Sequence, residues 1–284
     1  MTFRDYVQLM KLRIGAMIAL TAVMGYAAVA DEIRLPQIGL LVVAMLLGSA
    51  SSAVFNHFYD RDIDRLMART ASRPLASGAM SHPSAVLSFA AVLLVLGLGI
   101  AVVSFNMVVA LHLFLGAFIY GVVYTVWLKR RTSLNIVIGG AAGSFAVLAG
   151  AAAVDPGIWL LPMLLAVTLF LWTPSHFWAL AILLREDYRQ AGVPMLPVLV
   201  GDEKTAKAIF VNSVLLVGSS LLPWALGELG AIYGVGAALL GAGLLWANWK
   251  LLQDPSRLWA RRNFLASMPY LMGLFIAILA DVHL

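Results

Sequence analysis

The sequence predicts an all-α integral membrane protein with nine transmembrane helices, arranged as two similar four-helix halves plus a ninth helix. Three observations carry that expectation. Hydrophobic residues make up 62% of the 284 residues and charged residues only 12%, against about 45–50% and 25% in ordinary globular chains. The mean hydropathy is +0.93. The uncharged runs are long enough for membrane spans, which need about 20 mostly apolar residues each. A water-soluble enzyme, a disordered chain and a nucleic-acid-binding module are excluded, and the net charge of +5 is loop charge. The absence of Cys removes disulfides and thiolate metal sites.

The spans follow from the runs bounded by charged residues: Ile14–Ala30, Leu35–Tyr59, Pro74–Leu128, Thr132–Val154, Pro156–Leu184, Ala208–Gly227, Leu229–Trp249 and Asn263–Ala280. Pro74–Leu128 is too long for one helix. Its polar start at Ser81–Ser84 and its break near Ser104–Asn106 divide it into two helices. The first span is too long, and lacks the small-residue cleavage site, for a cleavable signal peptide. Residues 1–284 read as a single transmembrane domain.

Charge tests the count. With nine spans, eighteen of the nineteen Lys and Arg residues fall on one side, leaving only Arg34 opposite. The positive-inside bias therefore places the N-terminus in the cytoplasm and the C-terminus outside. The two longest loops, about 60–81 and 185–207, are cytoplasmic, and loops on a rigid scaffold are where chemistry concentrates.

Each long loop opens with acidic residues. If helix 2 continues past the membrane surface, Asn56, Asp60 and Asp64 share one face at fourfold spacing. Two carboxylates beside a carboxamide suit Mg²⁺, which takes few protein ligands and completes its shell with water and phosphate oxygens. Asp62 points elsewhere, toward a neighbouring Arg. The bland alternative is a solvated helix end neutralised by Arg61 and Arg65. The second cluster holds Arg185, Asp187 and Arg189 at the end of helix 6. Its position repeats that of the first, and internal repeats commonly place a site between them. Two acidic clusters suit one or two Mg²⁺ ions around a diphosphate, with Arg13, Arg73, Lys129 and Arg130 as its basic cradle.

The histidines divide. His176 follows Pro174 inside an apolar run, where an ionisable group is costly and a functional candidate; it could alternatively satisfy a carbonyl freed by Pro174. His57 adjoins the acidic motif and either serves the site or faces solvent. His82 reads as a helix start, His112 as a packed polar residue and His283 as a tail residue. Tyr124 either lines the site or belongs to an interfacial belt, and Asn135 is a site residue or an N-cap.

The stretches Asn56–Leu75, Tyr124–Gly140, Trp172–Ala181 and Asp187–Pro197 resemble the UbiA-type intramembrane prenyltransferases, and within them the heme O synthases. Two departures lie in the membrane half: Gly143–Gly150 lacks the expected Pro-Pro and Trp, and Ser175 stands where a second Pro is expected. The resemblance implies farnesyl transfer from farnesyl diphosphate to a vinyl group of heme B, with addition of water, giving heme O and diphosphate. Heme B is then a substrate and Mg²⁺ the cofactor. It implies Asn56, Asp60 and Asp64 on one metal, and Asp187 on a second metal or its water. Arg13, Arg73, Lys129 and Arg130 would hold phosphate, and Tyr124 would orient phosphate or shield the allylic cation. His176 and His57 are candidate heme contacts; Arg185, Arg189 and Asn135 complete the candidate substrate-binding set. It further implies the cell inner membrane, and association with heme A synthase or terminal oxidase assembly. A UbiA-type prenyltransferase for another acceptor, such as a quinone precursor, is the alternative within the class. A transporter is the alternative outside it, disfavoured because no charged residue falls inside a span.

Overall fold

The computed structural model describes residues 3–78 and 83–284, and its elements among them are helical. Short α1 (Phe3–Leu9) leads to α2 (Leu12–Ala27), then α3 (Leu35–Tyr59) and a single turn, α4 (Arg61–Asp64). Next come α5 (Pro83–Ser104) and α6 (Met107–Phe118), which continues as a π-helix over Ile119–Leu128. The second half opens with α7 (Asn135–Gly139) and α8 (Ala141–Ala152), together one span. It continues with α9 (Leu160–Leu183), α10 (Arg185–Gln190), α11 (Leu196–Ala225) and α12 (Ala231–Gln253); α13 (Arg257–His283) closes the chain. Eight of these spans are long and apolar enough to cross a membrane, and the 16-residue α2 is the ninth. His82 lies outside the described residues.

The expected break in the 55-residue run is present. Asn106 caps α6 with its side-chain oxygen, accepting from Val108 and Val109 N–H at 2.9 and 3.0 Å, and its amide donates to Ala152 O at 2.8 Å. Two boundaries differ from the sequence expectation. The first spanning helix, α2, begins at Leu12, directly after Lys11 takes a left-handed conformation (φ 48°). The supposed loop 185–207 holds α10 and the first turns of α11, which Gly201 (φ 79°) interrupts. That conformation costs glycine little.

The halves repeat their packing. In the first, α2, α3, α5 and α6 pack in chain order; in the second, α8, α9, α11 and α12 do so, and α13 lies against α12 and α9. The first helix of each half crosses the other at backbone contact. A Cβ on Gly25 would sit 2.1 Å from Val147 O, and one on Gly150 only 1.8 Å from Ala22 O. Lipid gives helices no hydrophobic reason to associate, so such close backbone packing supplies the attraction. His283 is no free tail: it lies in α13, with Nε2 3.0 Å from Ala27 O. His112 packs as expected, stacked on Phe145 at 6.1 Å.

Candidate active site

The second helix of each half ends in a short acidic turn: α3 in α4, and α9 in α10. The helix α3 does not run on through the motif, because Asp60 leaves helical geometry (φ −88°, ψ 3°). The fourfold hydrogen bonding nevertheless continues, with Asp60 N–H donating to Asn56 O at 2.9 Å and Asp64 N–H to Asp60 O at 2.8 Å. Asn56, Asp60 and Asp64 are all buried, at 2%, 0% and 1% exposure.

Four cations from three segments converge on them. Lys11 Nζ donates to Asn56 Oδ1 at 2.8 Å. Lys129 Nζ donates to Asp60 Oδ2, which also accepts from Asn56 Nδ2 at 2.7 Å. Arg73 donates to Asp64 Oδ2 at 2.7 Å. Arg130 grips Asp62 with two 2.7 Å hydrogen bonds, donates to Tyr59 O and stands 3.5 Å from Asp60 Oδ1. That fork holds the Asp62 carboxyl below its usual range. Arg61 and Arg65 do not neutralise the motif: Arg61 covers the Phe58 ring at 4.5 Å, and Arg65 donates to Ala76 O.

The site is over-supplied with positive charge. Burial, then the neighbouring Arg73 and Lys129, push the Lys11 ammonium down to about 7, against the opposing pull of Asp64 and Asp60. Meanwhile Asp60 Oδ1 and Asp64 Oδ1 are buried with no hydrogen-bond partner. Leaving a buried acceptor unmade costs about 1–3 kcal/mol or more for a charged group. Two carboxylate oxygens without a hydrogen bond among crowded cations are therefore an arrangement that a metal ion and an anion together would satisfy. Among the described residues no three His, Cys, Asp or Glu side chains form a metal cage. Hard oxygens from two carboxylates and a carboxamide fit an ion that brings phosphate and water as its other ligands.

The π-helix builds the facing wall. Its wider turn places Lys129 N–H on Tyr124 O at 2.8 Å, stacks Tyr120 on Tyr124 at 5.5 Å, and puts Thr125 Oγ1 3.1 Å from Asn56 Nδ2. Segments of this kind are frequent at functional sites. Asn135 is fully buried and donates to Lys129 O at 3.2 Å, with its own Oδ1 unpartnered. It is not an N-cap, since Leu134 holds that position. His57 does not face solvent: it is 2% exposed, and both ring nitrogens lack partners.

The second acidic turn joins through Arg69. Its Nε stands 3.9 Å from Asp187, and it donates to the Tyr188 hydroxyl at 3.1 Å. Ile63 and Met67 pack with Ile136, Tyr188 and Val193, so the two loops share an apolar floor. Arg185 instead pairs with Asp202 at 2.8 Å, and the exposed Arg189 with Glu186 at 3.0 Å. Arg13 is exposed too, and Lys11 takes the place expected of it. Sequence reasoning passed over Lys11, Arg69 and Thr125; only the proximity of Lys11 to Arg13 signalled anything.

His176 sits deeper, on the face of α9 toward α13. Its Nδ1 lies 2.7 Å from Ser267 Oγ, and its ring stacks on Trp172 and Phe264 at 4.3 and 4.4 Å. It does not serve the Pro174 region. There Asn212 donates to Leu171 O and to Ser175 Oγ, at 2.6 and 2.7 Å. Ser175, where a second Pro was expected, thus ties α9 to α11.

A model of the UbiA prenyltransferase family matches residues 14–277, nearly the whole of this chain. The chain belongs to that family. Among UbiA relatives, the protein named protoheme IX farnesyltransferase 1 from Paramagnetospirillum magneticum (strain ATCC 700264 / AMB-1) is 64% identical over 283 residues, covering 100% of both chains. The protoheme IX farnesyltransferase of Rhizorhabdus wittichii is 41% identical over 98% of this chain and 94% of its own. Solved structures share the fold. A digeranylgeranylglyceryl phosphate synthase superposes with a TM-score of 0.82 over 98% of each chain, at 22% identity. A UbiA homolog from Archaeoglobus fulgidus bound to DMAPP and Mg²⁺ gives 0.73 over 96% of this chain and 99% of its own, at 21% identity.

Proposed function

We propose that this multi-pass membrane protein transfers a farnesyl group from farnesyl diphosphate to a vinyl group of heme B, with addition of water, releasing diphosphate and giving heme O. The observation that carries the donor half is the buried Asn56–Asp60–Asp64 triad, with two carboxylate oxygens that accept no hydrogen bond, ringed by Lys11, Arg73, Lys129 and Arg130. The acceptor rests on the protoheme IX farnesyltransferases to which the chain is similar along its whole length.

The chemistry follows from charge. Asn56, Asp60 and Asp64 would hold Mg²⁺, and Asp187 a second ion or its water. When bound, Mg²⁺ neutralises charge on the leaving diphosphate. Lys11, Lys129, Arg73 and Arg130 then release part of their hold on the carboxylates and donate to phosphate oxygens, where negative charge grows as the allylic C–O bond breaks. Fixed donors aimed at developing charge are the strongest catalytic device available to such a site. The ring faces of Tyr120 and Tyr124 stand at the wall of this site and suit the allylic cation. The apolar bundle keeps out water that would otherwise capture it. Arg13, Arg185 and Arg189 stay outside this scheme. The positive-inside bias supports a cytoplasmic N-terminus and cytoplasmic site loops.

The test is to incubate purified protein in lipid with heme B, farnesyl diphosphate and Mg²⁺, and to weigh the extracted hemes by mass spectrometry. Heme O that disappears on chelation is the expected product. Consumption of farnesyl diphosphate with unmodified heme overturns the acceptor. No consumption overturns the donor as well.

A further inference from the structure

We infer that Ser267 is a positioning residue that holds His176 as its Nδ1–H tautomer, so that the bare Nε2 lone pair is offered to the iron of an incoming tetrapyrrole. This rests on the heme reading above and deepens it by naming the iron contact.

The proton positions follow from the hydrogen-bond chain. Ser267 Oγ lies 2.7 Å from His176 Nδ1 and 2.7 Å from Phe264 O. A carbonyl oxygen only accepts, so the serine hydroxyl spends its one hydrogen on Phe264 O. It then has only lone pairs left for the imidazole, and Nδ1 must be the donor. A neutral ring, the form suited to an apolar span, carries one N–H, so Nε2 is unprotonated. Among the described residues Nε2 has no hydrogen-bond partner.

The ring is also held still. Trp172 and Phe264 stack on it within 4.4 Å, and Phe177 meets it edge-on at 5.1 Å. Trp172 Nε1–H donates to Ser267 O at 2.8 Å, so the same serine anchors both the imidazole and its stacking partner. On another side of α9, Ser175 accepts from Asn212 and Ser213 of α11 at 2.7 and 3.0 Å, which fixes the helix against rotation.

An imidazole with one N–H pinned by a neighbouring oxygen and the other nitrogen free is the form in which histidine ligates metals. Among the described residues no second and third ligand of the His, Cys, Asp or Glu type converge here to make a cage. A metal taken at this position must therefore arrive already coordinated and short of one ligand. Iron in a porphyrin meets that condition, and imidazole is a suitable donor for iron.

The test uses purified protein in lipid titrated with ferric heme B, without the prenyl donor, followed by absorption and electron paramagnetic resonance. Wild type is expected to give an imidazole-ligated spectrum, and His176→Ala to lose it, with added imidazole restoring it. Ser267→Ala should weaken heme binding about 10–100-fold, and Ser267→Thr, which keeps the hydroxyl, should restore it. The serine pair decides the matter even where His176→Ala does not fold. An unchanged ligation spectrum and affinity in folded Ser267→Ala overturns the inference while leaving heme O formation by wild type intact. Wild type that consumes farnesyl diphosphate but neither binds nor modifies heme overturns the acceptor reading, and this inference with it.

Discussion

The acidic turns α4 and α10 occupy equivalent places, each after the second helix of its half, yet they are built differently. In the first, Asp60 and Asp64 are sealed from solvent and clamped by cations from the N-terminal segment, the π-helix and the loop beyond α4. In the second, Asp187 keeps 20% side-chain exposure, and its basic neighbours Arg185 and Arg189 pair elsewhere. Position in a repeat thus gives a loop the opportunity for chemistry; burial with imported counter-charge gives it the means. The second half contributes other things: Tyr188 and Val193 to the floor, and the His176 aromatic box on α9.

The largest effect should come from the first turn. Asp60→Asn and Asp64→Asn each remove a charge from the metal–diphosphate site, and heme O formation should fall about 10²–10³-fold. Next come the cations. Lys11→Met should cost about 10–100-fold, the value of one charge-assisted hydrogen bond at 1.5–3 kcal/mol, while Arg13→Ala should stay near wild type. Equal losses in both would mean that the exposed Arg13 swings inward when substrate is bound. Asp187→Asn should cost about tenfold, or about 1.4 kcal/mol. A double-mutant cycle with Arg69→Ala would separate its pairing with Arg69 from metal binding. A loss matching that of Asp60→Asn would break the comparison and make the halves equal partners. Arg189→Ala, at an exposed local ion pair, should shift stability by less than about 0.5 kcal/mol in a thermal unfolding measurement.

Much of this could be read from the chain. Nine spans, the Ser104–Asn106 break and the burial-worthy spacing of Asn56, Asp60 and Asp64 are local patterns, and local patterns survive folding. The choice of Lys11 over Arg13 was not legible, because it depends on a left-handed residue between α1 and α2 that turns one basic side chain inward. Arg69 was hidden for a similar reason: it reaches Asp187 and Tyr188 more than a hundred residues away, and a flexible side chain carries no mark of its distant partner. Asp62 found an Arg as expected, but from the π-helix end rather than from its own loop. His176 was legible as a polar intruder in an apolar run, and its serine partner on α13 was not.

The π-helix has a consequence for chain length. Tyr120 and Lys129 border the same site although they are nine residues apart, with Tyr124 and Thr125 midway. An α-helix advances about 100° per residue and the wider π turn advances less, so deleting one residue such as Val122 can be absorbed by tightening to α geometry, leaving Tyr120 nearly in phase with Lys129. Every side chain facing Asn56 and Asp60 would still be present in such a shortened protein, and what would be lost is the wide-turn hydrogen bond from Lys129 N–H to Tyr124 O.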